Sequence, residues 1–207
     1  MIQQPFDRIV AALAAKTPTP GGGAAAAMAG CMGAALFLMV VRYSRGKKAN
    51  LDRDADLAAA EQKLDAQLQA LLPMAERDCR SFDGVSAAFG MKKDTDAEKA
   101  ARNAAIQQAT VGAMVVPEET LAMCRDVFTT IHPVIGCIGK TIASDLAAGA
   151  QLLLAGAEGA YLNVRINAGS LDDKAYAATA MARADAVLAE ARKAQAAIAA
   201  TVDALLR

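Results

Sequence analysis

The most constraining feature of this sequence is an 18-residue stretch, residues 24–41, that contains no polar side chain. Its length reaches the lower limit for a membrane-spanning helix. However, its first half is mostly alanine and glycine, which gain little from transfer into lipid, and no second stretch resembles it. We therefore predict a helix over residues 24–43 that is buried on all sides in a soluble core, with no membrane partner. Its small residues would let neighbouring backbones approach closely.

The composition indicates helices throughout. Alanine occupies 52 of the 207 positions, aromatic residues make up only 4%, and tryptophan is absent. Alanine is the best helix former, whereas pleated sheets are built from β-branched and aromatic side chains. No stretch alternates polar and apolar residues for long enough to form a sheet. The sequence therefore predicts an all-α bundle of about seven helices, in one domain that covers residues 1–207.

The charged residues and cysteines argue against several classes of protein. Lys plus Arg and Asp plus Glu number 22 each, so no net field attracts nucleic acid. Four widely spaced cysteines and a single histidine, His132, give no pattern typical of a zinc site. No signal peptide is expected, because residues 1–5 lack a basic region followed by an apolar one. We expect a cytoplasmic protein with reduced thiols and no bound metal.

Apolar residues recur at helical spacing, and prolines, glycines and caps mark the breaks. Thr95 followed by Glu98 is a capping box, which predicts that a helix begins there. Pro117 is expected to end or bend that helix. The predicted helices cover residues 5–15, 24–43, 52–89 with a kink at Pro73, 95–116, a segment around 121–127, 144–162 and 172–206. The predicted irregular segments are residues 16–23, 131–139 and 163–170.

A homodimer is expected from the long helices. Those predicted at residues 52–89 and 172–206 would expose more apolar surface than a small monomer can cover. A second copy that buries these stripes is the simplest solution.

The sharpest local feature is the Thr-Pro-Thr-Pro-Gly-Gly-Gly loop of residues 17–23, which leads directly into the apolar helix. Free N–H groups at a helix start suit an anion or a carbonyl oxygen. The loop matches neither a phosphate-binding P-loop nor a dinucleotide fingerprint. A tight connection that needs glycine for close packing explains the same residues equally well.

Other polar residues are weaker candidates. Asp145, with Ser144 before it, could act as a general base at a helix start, although both are ordinary capping residues. Asp78 and Asp83 lie in a helix beside apolar residues, and burial can raise the pKa of such an acid. Further candidates for ligand contacts are the amides Asn163 and Asn167 and the basic group Arg42, Arg45, Lys47 and Lys48.

An ordered set of motifs covers essentially the whole chain. It comprises residues 18–27 (PTPGGGAAAA) with Gly30 and residues 33–35, residues 45–48 (RGKK), Asp78 with Phe82 and Asp83, residues 91–101 (MKKDTDAEKAA), Ser144 with Asp145, residues 159–167 (GAYLNVRIN) and residues 171–173 (LDD). In order and spacing, this set resembles the formiminotransferase-cyclodeaminase C-terminal family.

The resemblance implies a cyclodeaminase-like helical fold, a homodimer, and a folate bound in a cleft near the subunit contact. The implied activity is the reversible hydrolysis of 5,10-methenyltetrahydrofolate to 10-formyltetrahydrofolate, with no metal or other cofactor. The stand-alone cyclohydrolases of the family fit best, because a chain of this length leaves no room for a formiminotransferase domain.

The resemblance also assigns roles to residues of this chain. A carboxylate would stabilise the cationic substrate and accept a proton from water, with Asp145 as the first candidate and Asp83 or Asp78 as the second. The remaining matched residues would bind substrate. They are Thr19, Gly21, Gly22 and Gly23 at a polar edge of the ligand, Ser144 beside Asp145, Asn163 and Asn167 at the pterin, and Lys47 and Lys48 at the glutamate tail.

The sequence departs from the family pattern at two places. Gly139 and Thr141 stand where the family has asparagines shortly before Ser-Asp, and Met91-Lys92-Lys93 replaces a Leu-Pro-Lys motif. Two alternatives therefore stay open: a formiminotetrahydrofolate cyclodeaminase, which releases ammonia, and a folate-binding dimer without turnover.

Overall fold

The computed structural model describes residues 3–207, and within that range the chain is helical with no β-strand. The all-α prediction is confirmed. The signal-peptide prediction rests partly on Met1 and Ile2, which lie outside the described residues. The α-helices are α1 (Phe6–Leu13), α2 (Gly22–Ser44), α3 (Asp54–Leu71), α4 (Met74–Phe89), α5 (Asp96–Ile131), α6 (Ala143–Gly169) and α7 (Lys174–Leu206), with 3₁₀ turns at Lys48–Arg53, His132–Cys137 and Lys140–Ile142.

Side-chain caps fix the starts of the two longest helices. At α5, the hydroxyl of Thr95 accepts the N–H of Glu98 at 3.2 Å, while the Glu98 carboxylate accepts the N–H of Thr95 at 3.0 Å. This is the predicted capping box. At α7, the carboxylate of Asp173 accepts the N–H of Tyr176 at 2.9 Å. Both helices therefore begin within two residues of the predicted positions.

The centre of the fold is an antiparallel pair, α2 and α6, whose backbones touch. A Cβ atom placed on Gly33 would lie 2.7 Å from the carbonyl oxygen of Gly149 and 2.7 Å from the backbone nitrogen of Leu153. One placed on Gly156 would lie 2.8 Å from the backbone nitrogen of Gly30. Real Cβ atoms do not approach backbone this closely, so the two helices can pack at this distance only with glycine at these positions. The small residues therefore serve helix packing inside the protein, as predicted.

Gly33→Ala is expected to lower the free energy of unfolding by about 1–3 kcal/mol, because the added methyl group overpacks a backbone contact that cannot move aside. Gly112→Ala in α5 is the matched control, since a Cβ there meets nothing within 4 Å. Its expected effect is a gain of roughly 0.5–1 kcal/mol from helix propensity. Urea denaturation of both variants checks the pair, and equal effects would contradict the packing argument.

Of the end or bend predicted at Pro117, the end is wrong, because α5 continues through this residue from Asp96 to Ile131. Proline removes one backbone donor from a helix but does not have to end it when packing holds both sides, and Pro117 is buried. The kink predicted at Pro73 is instead a full break between α3 and α4. At α5, tertiary packing therefore outweighs the tendency of Pro117 to end a helix.

Helix ends differ from prediction at three further places. The segment 163–170 is predicted to be irregular, but α6 continues to Gly169, because Val164 and Ala168 are buried in the core and packing holds this part of the chain in the helix. Gly22 and Gly23 were placed in the loop, but they form the first turn of α2, with Gly21 as its N-cap. Ser144 and Asp145 lie inside the first turn of α6 and do not cap it, since Ile142 holds the N-cap position.

The apolar stripes that were expected to need a partner are covered within the protomer. Leu57, Leu64 and Leu71 of α3 are fully buried, as is Ala191 of α7. The prediction that α2 is buried on all sides is wrong, because Met32 is 46% exposed and its neighbours along one stripe are also partly open. Part of the apolar surface left uncovered therefore lies on the central pair of helices, where Met32, Tyr43, Leu162 and Ile166 are exposed.

This surface is continuous across α2 and α6. We call it the α2/α6 face, and it consists of partly or fully exposed residues at helical spacing on the same side of the antiparallel pair: Ala25, Ala29, Met32, Leu36, Met39 and Tyr43 of α2, and Ala148, Leu152, Ala155, Gly159, Leu162 and Ile166 of α6. By length and composition α2 could also cross a membrane, but 61% of its most apolar 18-residue window is buried inside the protein.

Candidate active site

A cavity of about 340 Å³ lies where the start of α2 meets α4, α5 and the second half of α6. Its volume is within the usual range for small-molecule sites. Its lining combines glycines, hydroxyl and amide groups, one carboxylate and several apolar side chains. The lining residues are Pro18, Thr19, Gly21, Gly22, Gly23, Asp78, Ser81, Phe82, Val85, Phe89, Ile106, Thr110, Ala113, Asn163, Ile166, Asn167 and Ser170.

Asp78 is the only carboxylate in this lining. It is half-buried on α4, and the backbone N–H of Ala24, in the first turn of α2, donates towards its carboxylate. Burial raises the pKa of Asp78 above its usual value, and the hydrogen bond from Ala24 offsets part of that rise. The sequence suggests that the free N–H groups at the start of α2 bind an anion from solution. In the structure, the carboxylate of Asp78 lies there instead.

The amides Asn163 and Asn167 lie on the same side of α6, one turn apart. The Nδ2 of Asn163 donates to the carbonyl of Gly159 at 2.8 Å, which fixes the amide and leaves its oxygen available to the cavity. Both residues line the cavity, as the resemblance implied.

Pro117 explains how Asn167 is held. A helical residue at 117 would normally donate its N–H to the carbonyl of Ala113, but proline has no N–H. The Nδ2 of Asn167 donates to that carbonyl instead, at 3.5 Å. A proline in α5 thus leaves an acceptor for a cavity amide of α6.

The remaining walls are apolar. Phe82 and Phe89 of α4 and Ile166 of α6 line the cavity and are 39%, 56% and 69% exposed, while Ile106 of α5 is buried beneath. Aromatic and aliphatic side chains opposite fixed amides suit a flat heterocycle with hydrogen-bonding edges.

Five predicted site residues lie elsewhere in the protomer. Ser144 and Asp145 begin α6, and Asp145 is 18 residues before Asn163, which is about 27 Å along a helix axis at 1.5 Å per residue. Lys47 and Lys48 follow the end of α2, at that same end of the antiparallel pair. Asp83 is exposed on α4 and does not line the cavity. Apart from Asp83, the predicted residues therefore form two groups: one around the cavity and one at the far end of α2 and α6.

The arginines that accompany Lys47 and Lys48 in the sequence are already paired. Arg42 binds Glu61 at 2.9 Å, and Arg45 binds Glu61 at 2.7 Å and Asp54 at 3.4 Å. These contacts hold the turn after α2 against α3. Of the basic group proposed from sequence, the structure thus assigns both arginines to internal ion pairs.

Sequence reasoning missed most of the cavity wall. Ser81, Val85 and Phe89 follow Asp78 at three, seven and eleven residues, which is one face of a helix. In the same way, Ile166 and Ser170 follow Asn163 at three and seven residues. Helical spacing from Asp78 and Asn163 would have found them, had α6 been predicted to continue beyond Leu162.

Comparison with known proteins places the chain in a family. The formiminotransferase-cyclodeaminase family model matches residues 5–186. The chain belongs to this family. It is 40% identical over 179 residues to the methenyltetrahydrofolate cyclohydrolase of Methylorubrum extorquens, a match that covers 86% of each protein. It is 30% identical over 192 residues to the formimidoyltransferase-cyclodeaminase of Sus scrofa, where it spans 36% of the longer protein.

The fold of the family is also present. The crystal structure of a formiminotetrahydrofolate cyclodeaminase from Thermotoga maritima superposes with a TM-score of 0.87 and covers all of this chain and 99% of its own, at 22% identity. The cyclodeaminase-like fold expected from the motifs is therefore confirmed. Within residues 3–207, no group of three or more His, Cys, Asp and Glu side chains is arranged to hold a metal ion.

Proposed function

We propose that this protein hydrolyses 5,10-methenyltetrahydrofolate to 10-formyltetrahydrofolate, reversibly. The relative from Methylorubrum extorquens is named a methenyltetrahydrofolate cyclohydrolase, which supports the proposal. The observation that carries the proposal is the half-buried Asp78 carboxylate in a cavity otherwise lined by neutral polar and apolar groups. A cationic, flat substrate is complementary to such a site, because the single buried anion gains a partner when it binds.

The chemistry asked of Asp78 is modest. The N5–C–N10 bridge of the substrate is a delocalised cation and is already electrophilic. Water adds to the bridge carbon while Asp78 accepts one of its protons, which leaves a hydroxyl on that carbon. The carbon–N5 bond then breaks: the hydroxyl loses its proton as the C=O bond forms, N5 takes up a proton, and the carbon stays on N10 as a formyl group. The net change is the addition of one water and the release of one proton. Positioning and general-base catalysis are enough for this step, and no cofactor is required.

The neutral groups bind the two faces and the edges of the substrate in this proposal. Asn163 and Asn167 contact the hydrogen-bonding edge of the pterin, and the glycine turn with Thr19 contacts the opposite polar edge. Phe82 and Phe89 stack against the aromatic parts. The half-open cavity lets the glutamate tail leave towards solvent.

A homodimer across the α2/α6 face completes the proposed site. An exposed apolar surface of this extent on two neighbouring helices is typical of a subunit contact. A twofold axis near Met32, perpendicular to α2, would set the two copies of α2 antiparallel. Each cavity would then face the end of the partner subunit that carries Lys47, Lys48, Ser144 and Asp145. The lysines would bind the glutamate tail, and Asp145 would supply a second carboxylate or the base itself.

The proposal also includes the partners of this protein and its cellular compartment. We expect a cytoplasmic enzyme whose partners are its folate substrate and its second subunit, with neither nucleic acid nor membrane involved. The equal numbers of acidic and basic residues support this expectation, because they generate no net field.

A cyclodeaminase is the second candidate. The relative from Sus scrofa carries that activity in its name, and the chain has the same fold as the Thermotoga maritima cyclodeaminase. A folate-binding dimer without turnover is the third, because Gly139 and Thr141, near Asp145, lack the amides of the family pattern.

Loss of the near-ultraviolet absorbance of methenyltetrahydrofolate tests the proposal. Purified dimer, treated with a chelator, should accelerate that loss well above the spontaneous rate in the same buffer. Ammonia release from 5-formiminotetrahydrofolate at a higher kcat/KM than methenyl hydrolysis would favour the cyclodeaminase. Binding of the methenyl compound without any acceleration would favour the non-catalytic dimer.

A further inference from the structure

A side chain at position 23 would overlap the carboxylate of Asp78. A Cβ atom placed on Gly23 would lie 2.5 Å from Cγ and 2.6 Å from Oδ2 of Asp78, and closer still to Oδ1. Contacts below 3.0 Å are not tolerated, so any side chain at position 23 must push the carboxylate away from the start of α2.

Backbone conformation gives no other reason for glycine at this position. Gly23 lies in the first turn of α2, and among the described residues only Gly46 has a positive φ. Glycine in a regular helix costs about 0.5–1 kcal/mol relative to alanine. The missing Cβ at Gly23 therefore leaves room for the carboxylate of Asp78.

We propose that Gly23 is a positioning residue for Asp78: its lack of a side chain lets the carboxylate reach the first turn of α2 and fixes where it lies in the cavity. This inference rests on the proposed function for its kinetic consequence, but not for its structural one. It also revises the role that the sequence suggested for Gly23, from ligand contact to placement of the catalytic carboxylate.

Comparison with the neighbouring Gly22 indicates that the start of α2 does not need a small residue at every position. A Cβ on Gly22 would meet only the Nδ2 of Asn163, at 3.7 Å, which is an ordinary van der Waals contact. The two adjacent glycines thus differ: one borders an amide with room to spare, and the other overlaps the carboxylate.

A double-mutant cycle tests the structural part. Gly23→Ala alone should lower Tm by about 5 °C, because the methyl group displaces a packed carboxylate. In an Asp78→Ala background the overlap is gone, so Gly23→Ala should leave Tm unchanged or raise it through helix propensity. An equal loss of Tm in both backgrounds would overturn the inference.

The kinetic part uses the same single variant, which should retain its fold by circular dichroism. Gly23→Ala should lower kcat for methenyltetrahydrofolate at least tenfold and change KM by less than about threefold, because the base is displaced while the binding groups stay in place. Gly84→Ala, on the same helix as Asp78 with nothing within 4 Å of its Cβ, is the control and should keep wild-type kcat.

The two failures are distinguishable. A wild-type protein with no turnover would refute the proposed function, while the coupling in Tm would still decide whether Gly23 makes room for Asp78. A tenfold rise in KM with unchanged kcat would instead show that Gly23 contacts substrate, and would overturn the positioning role.

Discussion

Replacing Asp78 by asparagine is expected to lower kcat for methenyltetrahydrofolate hydrolysis by about 10²–10⁴-fold, the usual range for loss of a general base. KM should rise as well, because Asn keeps the shape of the side chain and an acceptor for the N–H of Ala24 but lacks the charge that pairs with the cationic substrate. A stopped-flow or steady-state assay of methenyl absorbance measures both constants. Asp203→Asn, an exposed carboxylate on α7, is the control for the isosteric change.

The pH dependence follows from the raised pKa of Asp78. The carboxylate is the active form, so kcat/KM of the wild type should fall as pH decreases through that pKa, at a higher pH than an ordinary aspartate would give. For stability the sign is opposite. A raised pKa in the folded state means that the protonated acid is favoured there, so this contribution is present below the unfolded pKa and is lost as pH rises through the folded one. Asp78→Asn should therefore raise Tm at neutral pH, with a smaller gain below pH 4.

Two results would contradict this role for Asp78. An Asp78→Asn protein with full kcat would remove it as the base, and a much larger loss from Asp145→Asn would transfer the base to Asp145. Asp83→Asn distinguishes the third candidate in the same assay.

The second large effect is expected from a charge on the α2/α6 face. Met32→Lys should convert the proposed dimer, of twice 21.3 kDa, into a monomer, because the proposed twofold axis would bring two buried lysines together. The protomer itself should fold normally, since Met32 is already 46% exposed in it. Light scattering measures the mass and circular dichroism the fold. Tyr176→Lys, a partly exposed site at the start of α7, is the control and should remain dimeric.

Activity should be lost together with the dimer if each cavity needs the partner subunit. Mixing Asp78→Asn and Asp145→Asn proteins provides a direct test: each alone should be inactive, while heterodimers carry one intact composite site. Random pairing should then restore roughly a quarter of wild-type activity, because half of the dimers have one of two sites intact. No recovery, or an active Met32→Lys monomer, would contradict the composite site.

The sequence was most informative where a local signal determines local structure. The capping box at Thr95 and the alanine-rich composition correctly predicted the start of α5 and the helical class. Pro117 and Asn163 misled the prediction because both are poor helix formers in isolation, whereas packing between α5 and α6 holds them in helices. Neither residue carries a sequence signal for that outcome.

The candidate site was likewise predicted only in part. Motif matching collected Asp78, the glycine turn and the two amides, and the structure brings these together around one cavity. It ranked Asp145 above Asp78, although the predicted helix over residues 144–162 already placed Asp145 about 27 Å from Asn163 along one helix axis. The overlap of Gly23 with Asp78 depends on the approach of two helices and could not be read from spacing.

The proline in α5 has a consequence for variation in this chain. Any residue with a backbone N–H at position 117 could return the carbonyl of Ala113 to its own helix and release the amide of Asn167. Such a change would improve the regularity of α5 while loosening a ligand-facing group on a different helix. A substitution at position 117 could therefore make α5 more regular and the protein more stable. The same substitution would hold the Asn167 amide less firmly, and the cavity would then select its ligand less well, although residue 117 does not line the cavity.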